Sequence, residues 1–149
     1  MKRSLLPLLL LAALAGCESD ASRCDSEVPI VGDGWARATG DGQTMGAAYF
    51  TARNPGSCSF TITDAGSPVA TDSSLHESMM DGGMASMAPL AGVDIPPESE
   101  IRFEPQGLHV MLEGLKRPLV AGETVPLRLV LDNGQTVTID LAIVAPGSR

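Results

Sequence analysis

The sequence predicts a single all-β domain, an antiparallel sandwich or barrel. Three observations predict it. Apolar or alternating runs are short and are punctuated by Gly, Pro, Asn and Asp. No segment carries apolar residues at helical spacing over three turns. Strong turn signals separate the runs, above all Asn54-Pro55-Gly56 and Asp132-Asn133-Gly134.

Taken in order, strands are expected over 35–38, 47–54, 59–64, 75–80, 84–89, 101–104, 108–112, 125–131 and 136–144. The second ends at the Asn54-Pro55-Gly56 turn. The fourth and fifth flank Asp81-Gly82, a favoured two-residue hairpin turn. The last two form a hairpin about Asn133-Gly134, with Val125, Leu127, Leu129 and Leu131 on its inner face. Aromatic residues make up only 3% of the chain, so the core is expected to come from Leu, Val, Ile and Ala. No internal repeat, linker or second domain is visible.

The N-terminus reads as an export signal. Met1-Lys2-Arg3 is basic, and the apolar run from Leu5 to Leu14 is shorter than the roughly 20 residues a bilayer-spanning helix takes. The run ends in Leu14-Ala15-Gly16-Cys17, which resembles the bacterial lipobox. That resemblance implies cleavage before Cys17 and lipid attachment to its thiol. An ordinary signal peptide that contains a cysteine by coincidence is the alternative. The expected organisation is a leader over 1–16, a polar tether over 17–27 and a folded domain over 28–145. Such a protein is exported and held by its lipid at a periplasmic or cell-surface membrane face.

Loss of Lys2 and Arg3 leaves eight of the ten basic residues against 18 acidic ones, a formal charge of −10. Phosphate binding needs clustered Lys and Arg, so nucleic acid is not an expected partner. Lipidation of Cys17 leaves Cys24 and Cys58 in an oxidising compartment, the number a single disulfide needs. Their disulfide would close a loop of about 35 residues, worth ~3–4 kcal/mol in the chain-entropy model. Two free thiols taking part in metal chemistry are the alternative, although neither lies near a ligand cluster in sequence.

Both histidines, and every methionine after Met45, fall between residues 76 and 111. Scattered methionines would be read as core filling; these share one stretch with the only two imidazoles. In Leu108-His109-Val110-Met111-Leu112, alternation puts Leu108, Val110 and Leu112 on one face and His109 with Met111 on the other. With Asp81-Gly82 as a two-residue turn, Met80 pairs with Gly83, Ser78 with Ala85 and His76 with Met87. Two strand segments then each present one imidazole and one thioether. A three-residue loop would shift the register by one and turn Met87 away.

Thioethers are poor ligands for Zn, Mg or Ca and good ones for Cu(I), carry no proton and form no disulfide. A thiolate-free site of two His and two Met suits an exported protein that must release its metal. Glu77 and Asp81 are read as solvated charge and turn residue. A blue-copper electron carrier is disfavoured, because it needs a thiolate close to a histidine and Cys58 lies far upstream of His109.

The spacing also resembles that of the PCuAC family of periplasmic copper chaperones: His, ten residues, Met, twenty-one residues, then His-x-Met. His76, Met87 and His109-Val110-Met111 reproduce it, together with His76-Glu77-Ser78, Ile95-Pro96-Pro97 and the run from Gly107 to Leu119. The resemblance spans about residues 28 to 144. It implies a cupredoxin-like Greek-key β-sandwich that binds one Cu(I) at a rather exposed site through His76, Met87, His109 and Met111. It further implies delivery toward the copper centre of cytochrome c oxidase, through an oxidase subunit or a thiol-containing partner chaperone. Met79, Met80 and Met84 stand outside the motif and are read as core filling or as a secondary soft surface. The His- and Met-rich C-terminal tail of some relatives, associated with Cu(II), has no counterpart after Val144.

A monomeric Cu(I) carrier is therefore the leading expectation. Copper buffering or resistance is a variant of it, and a lipid-anchored Ig-like scaffold with incidental methionines is the competing class. No nucleophile–base pair, carboxylate dyad or phosphate loop marks an enzyme.

Overall fold

Ten strands hydrogen-bond into one continuous sheet in the computed structural model, which describes residue 24 and residues 27–149. The leader over 1–16, Cys17 and most of the tether lie outside the described residues. The strands are β1 (Ile30–Arg37), β2 (Met45–Asn54), β3 (Phe60–Gly66), β4 (Asp72–Asp81), β5 (Met84–Leu90), β6 (Val93–Ile95), β7 (Ser99–Phe103), β8 (Leu108–Glu113), β9 (Thr124–Leu131) and β10 (Thr136–Val144). Their order across the sheet is β5-β4-β8-β7-β2-β1-β10-β9-β3-β6, with β8 also paired to β2. The sheet curls over itself until β3 approaches β4, enclosing one core.

Two pairings depart from the expected antiparallel pattern. β1 runs parallel to β10 (Trp35 opposite Ala142), and β7 meets β8 in parallel at Phe103 opposite Leu108. Parallel neighbours need a long connection, and for β1 and β10 the rest of the domain supplies it. β6 was not expected; three residues are too few for alternation to register. β1 begins five residues before the predicted strand because Gly32-Asp33-Gly34 masks it. There the register with β2 shifts between Gly32 and Trp35, and Asp33 takes a positive φ of 54°.

The β9–β10 hairpin buries Val125, Leu127, Leu129 and Leu131 as alternation requires. The core is mostly aliphatic, but all three phenylalanines also enter it. Phe50 and Phe103 stack across β2 and β7 with centroids 4.1 Å apart, and Phe60 is 2% exposed. Each fully buried large apolar side chain contributes about 1.5–3 kcal/mol.

Polar and covalent ties close the end away from the histidines. Buried Asn54 shares its two Nδ2 protons among the carbonyls of Cys58, Ile95 and Pro96, and its Oδ1 accepts from the Gly56 N–H. This satisfies an otherwise costly buried amide and locks the loop after β2 to the end of β6. A disulfide joins Cys24 to Cys58, with Cα atoms 5.6 Å apart.

Candidate metal centre

The two histidines are direct cross-strand partners. β4 and β8 pair antiparallel with His76 opposite His109 and Ser74 opposite Met111, and the imidazole centroids lie 5.8 Å apart. Cross-strand partners project to the same face, so both rings and the Met111 thioether share the face opposite Val110 and Leu112.

Met87 joins them by a different register from the one expected. The turn of the β4–β5 hairpin is Gly82-Gly83, with Asp81 opposite Met84, Met80 opposite Ala85 and Ser78 opposite Met87. Both turn residues have positive φ (56° and 85°), the conformation of a favoured two-residue hairpin loop and one that glycine adopts without a Cβ penalty. His76 therefore faces Pro89, not Met87, and Asp81 is a strand residue, not a turn residue. The slip is two residues in the pairing sum, so side-chain parity survives. Met87 remains on the His76 face, one step along at Ser78.

Burial divides the candidate donors. His109 is 4% exposed and Met111 is also buried, while Met87 is 60% exposed. The expected rather exposed site is thus an enclosed inner end with one exposed thioether. β8 is buried on both faces because neighbouring strands flank it and aromatic rings cover its outer side. Tyr49 stands 6.4 Å from His109 between centroids, and Trp35 stands 4.5 Å from Tyr49. A cleft of about 350 Å³ opens over this face, lined by Met87, Ser78, His109, Met111, Tyr49 and Arg37 among others. Burial pushes the Tyr49 phenol above 10.0, and the Arg37 guanidinium partly opposes the rise.

Hydrogen bonds fix which imidazole nitrogens are free. His109 Nδ1 lies 3.0 Å from the Gly107 carbonyl, and only a protonated nitrogen can donate there, so in the neutral imidazole Nε2 keeps its lone pair. Ser74 Oγ donates to Glu113 Oε1 at 2.8 Å, which commits its one proton, so it accepts from His76 Nε2–H at 3.0 Å. In the neutral ring His76 Nδ1 is then an unprotonated, buried nitrogen with no partner. A buried acceptor left unmade is costly, and a bound cation would satisfy it. Ser74, Glu113 and the Gly107 carbonyl were not singled out from sequence. Ser74 lies two residues before His76 on the same strand face, the one local hint; Glu113 is tied to it only across the β4–β8 ladder.

The remaining methionines do not fill the core. Met79, Met80 and Met84 are all exposed, which overturns that reading and leaves them as a soft surface. Cys24 and Cys58 are joined to each other and stand apart from the histidines.

Residues 30–143 match the family model described as "Putative lipoprotein LpqE-like". The chain belongs to the LpqE-like lipoprotein family. A curated relative of this LpqE-like chain, described as "Putative lipoprotein Lxx21020" from Leifsonia xyli subsp. xyli (strain CTCB07), is 33% identical over 114 residues, covering 76% of this chain and 68% of the relative. Among solved structures, the LpqE-like chain resembles CuI-DR1885 from Deinococcus radiodurans at 32% identity and a TM-score of 0.64, covering 78% of each chain. It also resembles the apo PCuAC domain from PmoF1 at 26% identity and a TM-score of 0.66, over 78% of this chain and 92% of that one. The fold of this LpqE-like protein is the cupredoxin-like fold of PCuAC domains.

Proposed function

We propose that this LpqE-like protein binds one Cu(I) through His76, Met87, His109 and Met111 and passes it to an acceptor protein, acting as a carrier and not as an enzyme. One observation carries the reading. Two imidazoles in direct register each keep an unprotonated nitrogen, one of them buried and unpartnered, beside a buried thioether and an exposed one. Imidazole with thioether is a soft-to-borderline set that suits Cu(I) and not Mg or Ca. Among the described residues no group of three His, Cys, Asp or Glu side chains could hold another ion instead. The likeness to a structure described as CuI-DR1885 supports the same metal and oxidation state.

On this reading the leader over 1–16 is removed, Cys17 carries the lipid, and residues up to 27 tether the domain at a periplasmic or cell-surface membrane face. The protein works as a monomer. The acceptor is a copper centre under assembly, of which cytochrome c oxidase is the proposed case, reached directly or through a thiol-containing chaperone. A Cu(I) titration under reducing conditions is expected to show one equivalent bound. His76→Ala combined with Met111→Ala is expected to abolish it; unchanged binding would refute the ligand set.

A further inference from the structure

Five thioethers stand in solvent where a folded domain usually uses them to fill apolar gaps, and four of them, all but Met45, crowd onto one hairpin. Met79, Met80, Met84 and Met87 are 48%, 67%, 76% and 60% exposed, and all belong to the β4–β5 hairpin. The hairpin is also an arm. β8 pairs with β4 only as far as Glu77 opposite Leu108, and the Ser78 N–H still reaches the Gly107 carbonyl at 3.0 Å. Beyond Ser78, β4 pairs with β5 alone among the described residues. A bare two-stranded ribbon is marginally stable and moves more easily than the sheet that carries it.

Register sorts the four sulfurs. His76, Ser78 and Met80 alternate onto one face of β4. Met80 lies opposite Ala85 and Ser78 opposite Met87, so Met80 and Met87 are diagonal neighbours on the histidine face. Diagonal pairs are about 7–8 Å apart at the backbone, within reach of long side chains. Met79 and Met84 occupy the other face. A line of soft donors thus leads outward from buried His109 and Met111, past His76, to exposed Met87 and then Met80.

We infer that Met80 is an exit ligand. With Met87 it forms a two-thioether station through which Cu(I) passes from the inner donors to an acceptor protein that presents a thiolate or thioether. This rests on the Cu(I) reading above and deepens it. The step is ligand exchange at constant metal charge. Bonds from the ion to the imidazole nitrogens and the Met111 sulfur break, the Met87 bond persists, and a bond to the Met80 sulfur forms, followed by one to the acceptor sulfur. No electron moves. The thioethers release no proton, and a thiol acceptor gives its own to solvent. Departure one bond at a time along an arm held only by its own two strands avoids exposing a bare ion. It also explains why the sulfurs are uncharged and solvent-facing, where a lysine or glutamate would serve solubility better.

The test uses the full chain loaded with Cu(I) and bathocuproine disulfonate as the acceptor probe, with rapid-mixing absorbance as the readout. Met80→Leu, an exposed change of similar volume, is expected to slow copper removal at least tenfold. Met79→Leu with Met84→Leu, on the opposite face, is expected to change it less than twofold. In a second arm, 13C-methyl-methionine chain carrying His76→Ala and His109→Ala is titrated with Ag(I), a redox-silent Cu(I) substitute. The Met80 and Met87 methyl signals are expected to shift together. An unchanged removal rate in Met80→Leu, or Ag(I) moving Met87 without Met80, overturns the exit ligand while leaving the binding site standing. Failure of the unaltered chain to take up Cu(I) at all sinks both.

Discussion

His76 owes its free nitrogen to two residues that touch no metal. Ser74 and Glu113 form a relay that holds the Nε2 proton and leaves Nδ1 bare. Partners that orient ligating histidines commonly contribute 10–100-fold in metal affinity. Ser74→Ala is therefore expected to weaken Cu(I) binding by about one order of magnitude, without lowering the stoichiometry, in a competition titration. The nearby phenol gives a pH-dependent check on the same face. Tyr49 is the sole tyrosine, so its ultraviolet titration is unambiguous, and burial holds its phenol above 10.0 in the folded state. A raised folded-state value means that stability is fully present below the unfolded value of 10.0 and is lost as pH climbs through the folded one. Chemical denaturation at rising alkaline pH is expected to show that loss, and Tyr49→Phe to reduce it.

β8 shows how one strand serves stability and chemistry separately. Its even-numbered residues Val110 and Leu112 lie in the main core at 0% exposure, while His109 and Met111 are buried on the other face, where Tyr49 stands beside His109 and Trp35 beside Tyr49. Leu112→Ala is expected to cost about 2–5 kcal/mol in denaturant melts yet leave one equivalent of Cu(I) bound. Met111→Ala, one residue away, is expected to lower copper affinity in the same titration. Loss of copper stoichiometry in Leu112→Ala would show that the two faces are not independent. Asp81-Gly82 is a favourable turn pair, but Gly82-Gly83 supplies positive φ at both central positions, and that geometry set the register. Parity alone kept Met87 on the His76 face despite the slip.

Across the molecule, the covalent tie and the donor cluster occupy different regions. The Cys24–Cys58 disulfide closes a 34-residue separation near the Asn54 network. Its reduction is expected to cost ~3–4 kcal/mol by the loop-entropy relation. Copper stoichiometry at neutral pH should remain at one, because neither sulfur belongs to the proposed ligand set. A lost equivalent on Cys24→Ser with Cys58→Ser would instead make the thiols ligands.

Local chemistry in the chain determined much. Period-two alternation is a property of each strand by itself, so the inward face of Val125–Leu131 and the shared face of His109 and Met111 could be read without knowing any neighbour. The spacing from His76 to Met111 likewise singled out the proposed donors, through its resemblance to the PCuAC pattern. Tertiary structure decided which strands became neighbours. Setting His76 beside His109 required β8 to pair with β4 across some thirty residues of chain, a choice made by how the whole sheet closes over its core and invisible to any local pattern. The burial of the inner donors, the Ser74–Glu113 relay and the solvent exposure of the methionine arm all follow from that closure. Each depends on atoms brought together from distant parts of the sequence.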